Sequence, residues 1–390
     1  MPTSDELLRY RSEFPILEHT TYLISNSLGA MPRAVYDAMK GYADTWATRG
    51  VRAWEERWWT LAAEVGDEIG TLMNAAKGSV STHQNVTTCQ AIVASCFDFS
   101  GKRNQVVYSD MNFPSVMYFW EAQRAHGARV RMVKTDDGIT VPTERLLDAI
   151  NEDTLLVAIS HVIFRSAYIN DAKSIIEKAH KVGAHVVLDT YQSLGTVPID
   201  VSALDVDFAC GGVLKWLCGG PGVGYLYVRP DLGKKFEPTF TGWTAHQNPF
   251  GFEIGPIRYT DPPYRFMNGT PHIPSLEAAR PGLKIIAQVG IERIREKSKR
   301  QTARLIELAD KHGWRVNTPR DPERRGGTVS IDMPDSQEVC SQLLKRDILV
   351  DWRPKAGVRM SPHFYNTDQD LETAISAVEE ILKNRTVATR

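Results

Sequence analysis

Between about residues 80 and 230, short apolar runs alternate with stretches whose apolar residues recur at helical spacing. The runs Val106–Ser109, Val130–Val133, Leu155–Ser160 and His185–Asp189 predict buried strands, and three of them end in a polar residue: Ser109, Ser160 and Asp189. The segment Asp171–Val182 places Ala172, Ile175, Ile176 and Ala179 on one helical face, and a further helical run covers Ala91–Phe97. Strand–helix alternation of this kind predicts an α/β domain with a mostly parallel sheet covered by helices on both faces. In such sheets, sites form at the carboxyl ends of the strands. The polar strand ends are therefore the first candidates for chemistry.

After Pro262-Pro263 the pattern changes. A long helical region covers Leu276–His312, strand candidates follow at Thr328–Asp332 and Ile348–Asp351, and a last helix runs from about Asp370 to Leu382. This predicts an α+β lobe. The mainly helical stretch Val35–Asn74 is expected to link the lobes, and the mixed-sign run Arg293–Arg300 reads as a solvated helix face. The expected division is a large α/β domain over 41–264, with 1–40 and 265–390 forming a small α+β domain.

Composition narrows the function classes. The 390 residues carry 46 Lys+Arg against 47 Asp+Glu, a formal net charge of −1, which argues against a nucleic-acid or anionic-membrane binder. With 42% hydrophobic and 24% charged residues the chain reads as globular. Met1–Arg9 is polar and unlike a signal peptide, and no apolar run approaches the ~18 residues of a spanning helix. Five cysteines without a CxxC pair predict reduced thiols and a cytoplasmic chain, and ten histidines without an HExxH or paired spacing predict no metal site.

The chemistry starts at Asp189, which ends an apolar strand. Lys215 follows within Gly211-Gly-Val-Leu-Lys-Trp-Leu-Cys-Gly-Gly-Pro-Gly222, flanked by apolar residues and glycines. Desolvation favours the neutral, nucleophilic amine, the form that condenses with an aldehyde. An aldehyde cofactor of the pyridoxal phosphate type needs such a lysine and a carboxylate facing its pyridine nitrogen. For the phosphate, Thr87 in Gln84-Asn-Val-Thr-Thr-Cys-Gln-Ala91 offers a hydroxyl and N–H groups at the positive end of a helix; a plain N-cap is the alternative. Phe113, after a strand, places an aromatic ring where it could stack on the pyridine. Arg359, in a segment expected to pack inward, can hold a substrate carboxylate bidentately.

Together these segments resemble fold-type-I pyridoxal-phosphate enzymes of the class V aminotransferase superfamily, kynureninases in particular. The likeness covers almost the whole chain. It rests on Tyr22-Leu-Ile-Ser-Asn-Ser-Leu-Gly29, Phe113-Pro-Ser115, Ser160-His161-Val162, Asp189-Thr-Tyr-Gln-Ser-Leu-Gly195, Asp205-Val-Asp-Phe-Ala209, Lys215 with Gly219-Gly-Pro-Gly222, Gly242-Trp243, Arg265-Phe-Met-Asn268, Asp351-Trp-Arg353 and Arg359 with Phe364-Tyr-Asn366. The resemblance implies that Lys215 carries the cofactor and Asp189 pairs with the ring nitrogen. It implies that Phe113 stacks, and that Val86, Thr87, Gln192 and Ser160 surround the cofactor. Trp243 and Asn268 would make further contacts, partly across a homodimer interface. Arg359, with Asn26 and Ser27 of the N-terminal signature, would face an amino-acid substrate.

Three departures from that pattern stand out. Leu214 replaces a Tyr before the lysine, Val116 replaces an Asp after Phe-Pro-Ser, and no histidine occurs in Ala47–Trp54, where Arg49 or Arg52 offers a charge for a second anionic group on the substrate. The expectation is therefore a lyase or hydrolase that cleaves an amino-acid side chain but does not prefer kynurenine. The alternatives are transamination, decarboxylation-coupled deamination, epimerisation or C–S cleavage on the same scaffold, and, more distantly, a non-catalytic scaffold. Desulfuration would need a mobile nucleophilic cysteine, and Cys340 lies in a helical pattern.

Overall fold

The computed structural model describes residues 5–388. Its strands are β1 (Thr21–Tyr22), β2 (Val80–His83), β3 (Gln105–Ser109), β4 (Arg129–Val133), β5 (Thr154–Ser160), β6 (His185–Asp189), β7 (Phe208–Gly212), β8 (Gly224–Val228), β9 (Arg315–Val316), β10 (Val329–Asp332), β11 (Ile348–Leu349), β12 (Asp351–Arg353) and β13 (Gly357–Met360). Seven form one sheet in the order β2-β8-β7-β6-β5-β3-β4, in which only β8 runs against the rest. The four predicted strands are β3 to β6. Alternate residues along them feed two apolar layers. Val107, Val157, Ile159, Val186 and Leu188 face one, and Val106, Leu156, Ala158 and Val187 face the other. Helices therefore cover both faces of a mostly parallel sheet, the fold-type-I arrangement.

The strand order reverses direction between β3 and β5. The loops leaving these two strands diverge there and open a crevice above the carboxyl ends. The C-terminal part builds an antiparallel sheet, β12-β13-β10-β9. Its own apolar cluster includes Val329, Ile331, Val358 and Met360 from the strands, with Val339 and Leu343 from helix Ser336–Leu344 and Leu371 and Val378 from helix Asp368–Ala388. Among the described residues, no helix is long and apolar enough to cross a membrane.

Several elements differ from the sequence expectation. The helix expected at Ala91–Phe97 runs Val86–Ala94, capped by the Asn85 side chain on the Thr88 N–H, so Thr87 lies in its first turn and is not the cap. The region Leu276–His312 is two helices, Ile273–Val289 and Ile291–Lys311, broken at Gly290, whose φ of 85° no helix interior accommodates. The strand expected at Ile348–Asp351 changes partner midway: β11 pairs with β1, and Asp351 begins β12 on β13. The run Arg293–Arg300 is not a solvated face throughout. Arg295 and Lys297 are buried, Arg295 donating to the carbonyls of Arg325 and Pro322 and Lys297 to that of Phe364 and to Asp5. Carbonyls of distant segments stand in for the water these cations lose.

Candidate active site

The register of the sheet sets Ser160 and Asp189, at the carboxyl ends of β5 and β6, beside Cys210 in the middle of β7. Phe113 follows β3 and Lys215 follows β7. A cavity of about 640 Å³ opens above them, lined by Asn26, Ser27, Asn85, Val86, Thr87, Thr88, Phe113, Ser115, Ser160, Val162, Phe164, Asp189, Tyr191, Gln192, Leu214, Lys215, Arg353 and Arg359. Of the thirteen positions singled out from sequence as site residues, ten line this one cavity.

Lys215 is half-buried at the cavity floor. Burial is the main cause of a pKa below the usual lysine value; Asp189 opposes that shift and Arg359 adds to it. Asp189, 5% exposed, is pushed above the usual carboxylate range by burial, against the stabilising Tyr191 N–H bond at 2.9 Å and the charge of Lys215. The pair thus places a readily neutralised amine near a carboxyl group that the interior makes more basic.

The remaining walls combine apolar faces with free polar groups. Phe113 packs edge-on against Phe164, with centroids 5.2 Å apart, and Lys215 Nζ lies 5.5 Å from the Phe113 ring centre. Gln192 is tied down at both ends: its Nε2 donates to the Asn26 carbonyl at 2.9 Å, and its Oε1 accepts from Trp216 Nε1 at 3.0 Å. Asn26 is 1% exposed, yet neither its Oδ1 nor its Nδ2 has a partner. A buried amide without partners is costly, and this one belongs to a residue that borders the cavity. The first turn of helix Val86–Ala94 presents N–H groups and the Thr87 hydroxyl, an anion-binding arrangement, while the Thr88 N–H and hydroxyl both donate to Asn85 Oδ1.

Arg359 is 2% exposed. Its Nε donates to Asp351 Oδ1 at 2.7 Å, one terminal nitrogen donates to Asp351 Oδ2, and the other donates to the Phe164 carbonyl at 2.6 Å. Asp351 therefore occupies the Nε side of the guanidinium fork and leaves N–H groups at the far end. Arg353 also contacts Asp351, at 3.0 Å, with its side chain 40% exposed. The carboxylate sits between two cavity-lining cations.

The sequence pattern of the aminotransferase class-V family matches residues 21–373. The chain belongs to that family. Among curated relatives, a kynureninase of Bacillus thuringiensis subsp. konkukian (strain 97-27) is 29% identical, covering 97% of this chain and 92% of the relative. A protein of Bacillus subtilis (strain 168) named uncharacterized aminotransferase YcbU is 31% identical, over 95% and 96% of the two chains. Among solved structures, the apo cysteine desulfurase of Thermococcus onnurineus NA1 superposes with a TM-score of 0.86 at 23% identity, covering 98% of this chain and 99% of that one. A complex of the cystine C–S lyase C-DES with cysteine persulfide gives 0.83 at 19% identity, covering 94% and 98%.

Class V aminotransferases are pyridoxal 5′-phosphate enzymes, and pyridoxal 5′-phosphate is the cofactor here. The cavity fits it: an amine for the aldehyde, a buried carboxyl group for the ring nitrogen, aromatic faces, a helix N-terminus for the phosphate and an unpartnered amide. Two of the three departures from the kynureninase pattern are placed by the structure. Leu214 lines the cavity, so an apolar side chain stands where kynureninases have a phenol. Val116 lies outside it, 1% exposed in an apolar cluster, where an unpaired carboxylate would be costly. Arg52, Trp243 and Asn268 do not line the cavity within one chain. Arg52 is exposed and donates to the carbonyls of Arg49 and Thr48, and Arg49 is paired with Glu56. Asn268 borders a separate cleft with Thr270 and His272, and Trp243 packs on Trp59 and Phe250. Sequence reasoning missed Tyr191, Arg353 and the partnering of Asp351 with Arg359. The block Asp351-Trp-Arg353 was in view, but its contact with Arg359 depends on the β12–β13 register.

Proposed function

We propose that this enzyme cleaves the side chain of an α-amino acid by kynureninase-like lyase or hydrolase chemistry, and that kynurenine is not its preferred substrate. The observation that carries the reading is the convergence of Lys215, Asp189 and Arg359 on one cavity. When bound, the cofactor supplies a ring that takes up the electron pair released at the substrate Cα. Lys215 Nζ, made easier to neutralise by desolvation, would hold the cofactor and, once the substrate amine has displaced it, accept the Cα proton. Asp189 keeps the ring nitrogen protonated. Arg359, aimed by Asp351, holds the α-carboxylate, with the Asn26 amide and Ser27 beside it. The N–H groups of helix Val86–Ala94 and Thr87 take the phosphate, while Val86, Gln192, Ser160 and Phe113 wall the ring.

Leu214 supports the view that kynurenine is disfavoured, because a phenol that could hydrogen-bond the cofactor and exchange protons is missing at that position. Arg49 and Arg52, outside the cavity, lend no support within one chain to a second anionic group on the substrate. A cysteine-persulfide route has little support either. Cys340 is buried in helix Ser336–Leu344, and burial pushes its thiol up to about 11. We further propose a homodimer in which Trp243, Asn268 and Arg52 approach the partner's cavity.

The test is a panel of α-amino acids, kynurenine and 3-hydroxykynurenine included, incubated with the cofactor-loaded enzyme and read by mass spectrometry. Catalytic release of a side-chain fragment is expected, with kcat/KM for kynurenine at least about tenfold below the best substrate, about 1.4 kcal/mol of transition-state binding. Rapid conversion of kynurenine to anthranilate and alanine would overturn the substrate reading. Accumulation of the amine form of the cofactor, regenerated only by a keto acid, would make the enzyme an aminotransferase.

A further inference from the structure

The hairpin of β12 and β13 sets three charged side chains on one face. Asp351 and Arg359 are cross-strand partners, and Arg353 lies two residues beyond Asp351, so alternation along β12 turns both of its charges to the same side. Trp352, between them, turns the other way, into the apolar cluster of the C-terminal sheet, where its Nε1 donates to Ser336 Oγ at 3.1 Å. Arg359 and Arg353 both reach Asp351 Oδ2, so the two guanidinium groups converge on one oxygen. Their exposure differs. The Arg359 side chain is almost wholly buried, whereas that of Arg353 borders the cavity and is 40% exposed. Arg353 donates to the Trp352 carbonyl at 2.8 Å and pairs with Asp351 at 3.0 Å, and among the described residues its Nε has no partner. Burial is the main reason why the Lys215 amine titrates below an ordinary lysine; Asp189 and Asp351 oppose the shift, and Arg359 and Arg353 add to it, so both guanidinium groups lie within electrostatic reach of the amine. The cavity wall thus holds three cations, Lys215, Arg353 and Arg359, against one carboxylate, Asp189.

Two of these cations have a task in the proposed function: Lys215 carries the cofactor, and Arg359 takes the α-carboxylate. The phosphate has the N–H groups of helix Val86–Ala94. Arg353 has only its share of Asp351, which cannot neutralise two guanidinium groups. We infer that Arg353 is a specificity residue that takes the side-chain anion of a short dicarboxylic α-amino acid. The inference rests on the proposed function and deepens it by naming the substrate class. Because the two forks converge on Asp351, anions bound at their outer edges stand only a few carbon atoms apart, as the two carboxylates of a short acidic amino acid do. The second carboxylate supplies the charge that Asp351 lacks, in a bidentate and directional contact. A neutral amide of the same shape offers one acceptor oxygen in place of two and leaves a guanidinium donor unpaired, so it is rejected. The second-anion role that the exposed Arg49 and Arg52 do not support thus finds a candidate inside the cavity of one chain.

The experiment titrates the cofactor-loaded enzyme with succinate and with succinamate, in which a neutral amide replaces one carboxylate, and reads the dissociation constants by calorimetry. Lys215 is then occupied by the cofactor and offers no second cation. The wild type should bind succinate about tenfold more tightly than succinamate. Arg353→Met should erase that preference, weakening succinate about tenfold and succinamate by less than about threefold, and Arg353→Lys, which keeps the charge without the fork, should retain part of it. The comparison of the two ligands on the wild type stands even where Arg353→Met folds poorly. Equal affinities in the wild type would overturn the inference and leave the α-carboxylate site standing. An equal loss of both ligands in Arg353→Met would overturn it too, by making the residue a support for Asp351. Weaker uptake of pyridoxal 5′-phosphate by Arg353→Met would overturn it by moving the charge to the phosphate. A wild type that binds neither ligand would instead bring down Arg359 as the carboxylate anchor, and one that takes up no cofactor would bring down the cofactor reading; the inference falls with either.

Discussion

At the scale of single residues, the site depends on how far burial shifts Lys215 and Arg359 from their behaviour in water. Burial lowers the Lys215 amine from 10.5 to about 8 in the cofactor-free protein. The neutral amine, the form that attacks an aldehyde, predominates above the pKa, so the shift extends reactivity downward in pH. The rate of cofactor attachment should rise through pH 7 and 8 and level off by about pH 9, where an ordinary lysine would still be climbing. Stopped-flow absorbance across this range measures it, and a rate still rising tenfold per unit above pH 9 would show that the amine is solvated. Arg359 gives the second prediction. Asp351→Asn keeps the shape of the partner but removes the charge that compensates a buried guanidinium. Full loss of a buried ionic partner costs roughly 3–5 kcal/mol, and the remaining amide should hold the cost to about 1–3 kcal/mol in urea unfolding. With the fork no longer aimed, KM should rise about tenfold with kcat changed far less. An unchanged KM would remove Asp351 from substrate recognition.

At the scale of elements, the segment Asn26-Ser-Leu-Gly29 is explained by what it docks on. The Gly29 N–H donates to the Leu214 carbonyl at 2.8 Å, and an added Cβ would lie 2.1 Å from the Lys215 carbonyl and 2.9 Å from Cys218 Cα. The N-terminal turn therefore presses its backbone onto the loop that carries the lysine. Gly29→Ala should cost about 1–3 kcal/mol and weaken cofactor binding, because the colliding atoms are backbone and cannot swing aside. Gly41→Ala, on helix Val35–Arg49 with nothing within 4 Å, should stabilise by about 0.5–1 kcal/mol and leave binding alone. Thermal unfolding and cofactor titration of the two variants separate the cases, and equal effects would deny the docking role. The same contrast shows what the sequence could reveal. β3, β5 and β6 were legible because their aliphatic runs are buried on both faces; β4, expected as a buried strand at Val130–Val133, lies at the sheet edge and buries only Val133. β2 and β7 were not, because Ser81, Thr82, His83, Cys210, Gly211 and Gly212 show neither alternation nor an apolar run, and β8 was passed over although Tyr225-Leu-Tyr-Val228 is an apolar run. Lys215 and Asp189 stood out by residue type and strand position. Tyr191 did not, since a tyrosine just past a strand reads as core until its ring is found over the amine. Arg295 and Lys297 read as surface residues because the carbonyls that receive them lie far along the chain.

At the scale of the whole molecule, the described surface carries apolar area that a single chain leaves in water. Trp243, Phe250 and Phe252 are 40%, 58% and 75% exposed, and Trp59, Trp243 and Phe250 form one aromatic cluster with centroids 4.7 to 5.7 Å apart. Helix Val35–Arg49 has no buried residue, and Tyr36 and Trp46 are more than half exposed. Contiguous exposed aromatics of this kind mark a contact surface. The aromatic cluster includes Trp243, one of the residues that the family resemblance ties to the cofactor but that one chain leaves outside its own cavity. In a two-fold dimer with shared sites, each cavity would take its lysine from one protomer and Asn268 from the other. Lys215→Ala and Asn268→Ala proteins should each be nearly inactive alone. In a mixed dimer, one cavity then inherits both substitutions and the other inherits neither. Random reassortment, by co-expression or by joint refolding, should restore up to about a quarter of wild-type activity, since half the dimers are mixed and half their cavities are intact. If each chain instead completes its own cavity, every site in the mixture carries one lesion and no activity returns. Activity measured against mixing ratio, with light scattering to confirm dimers, separates the two arrangements, and a flat curve would place Asn268 outside the partner's site.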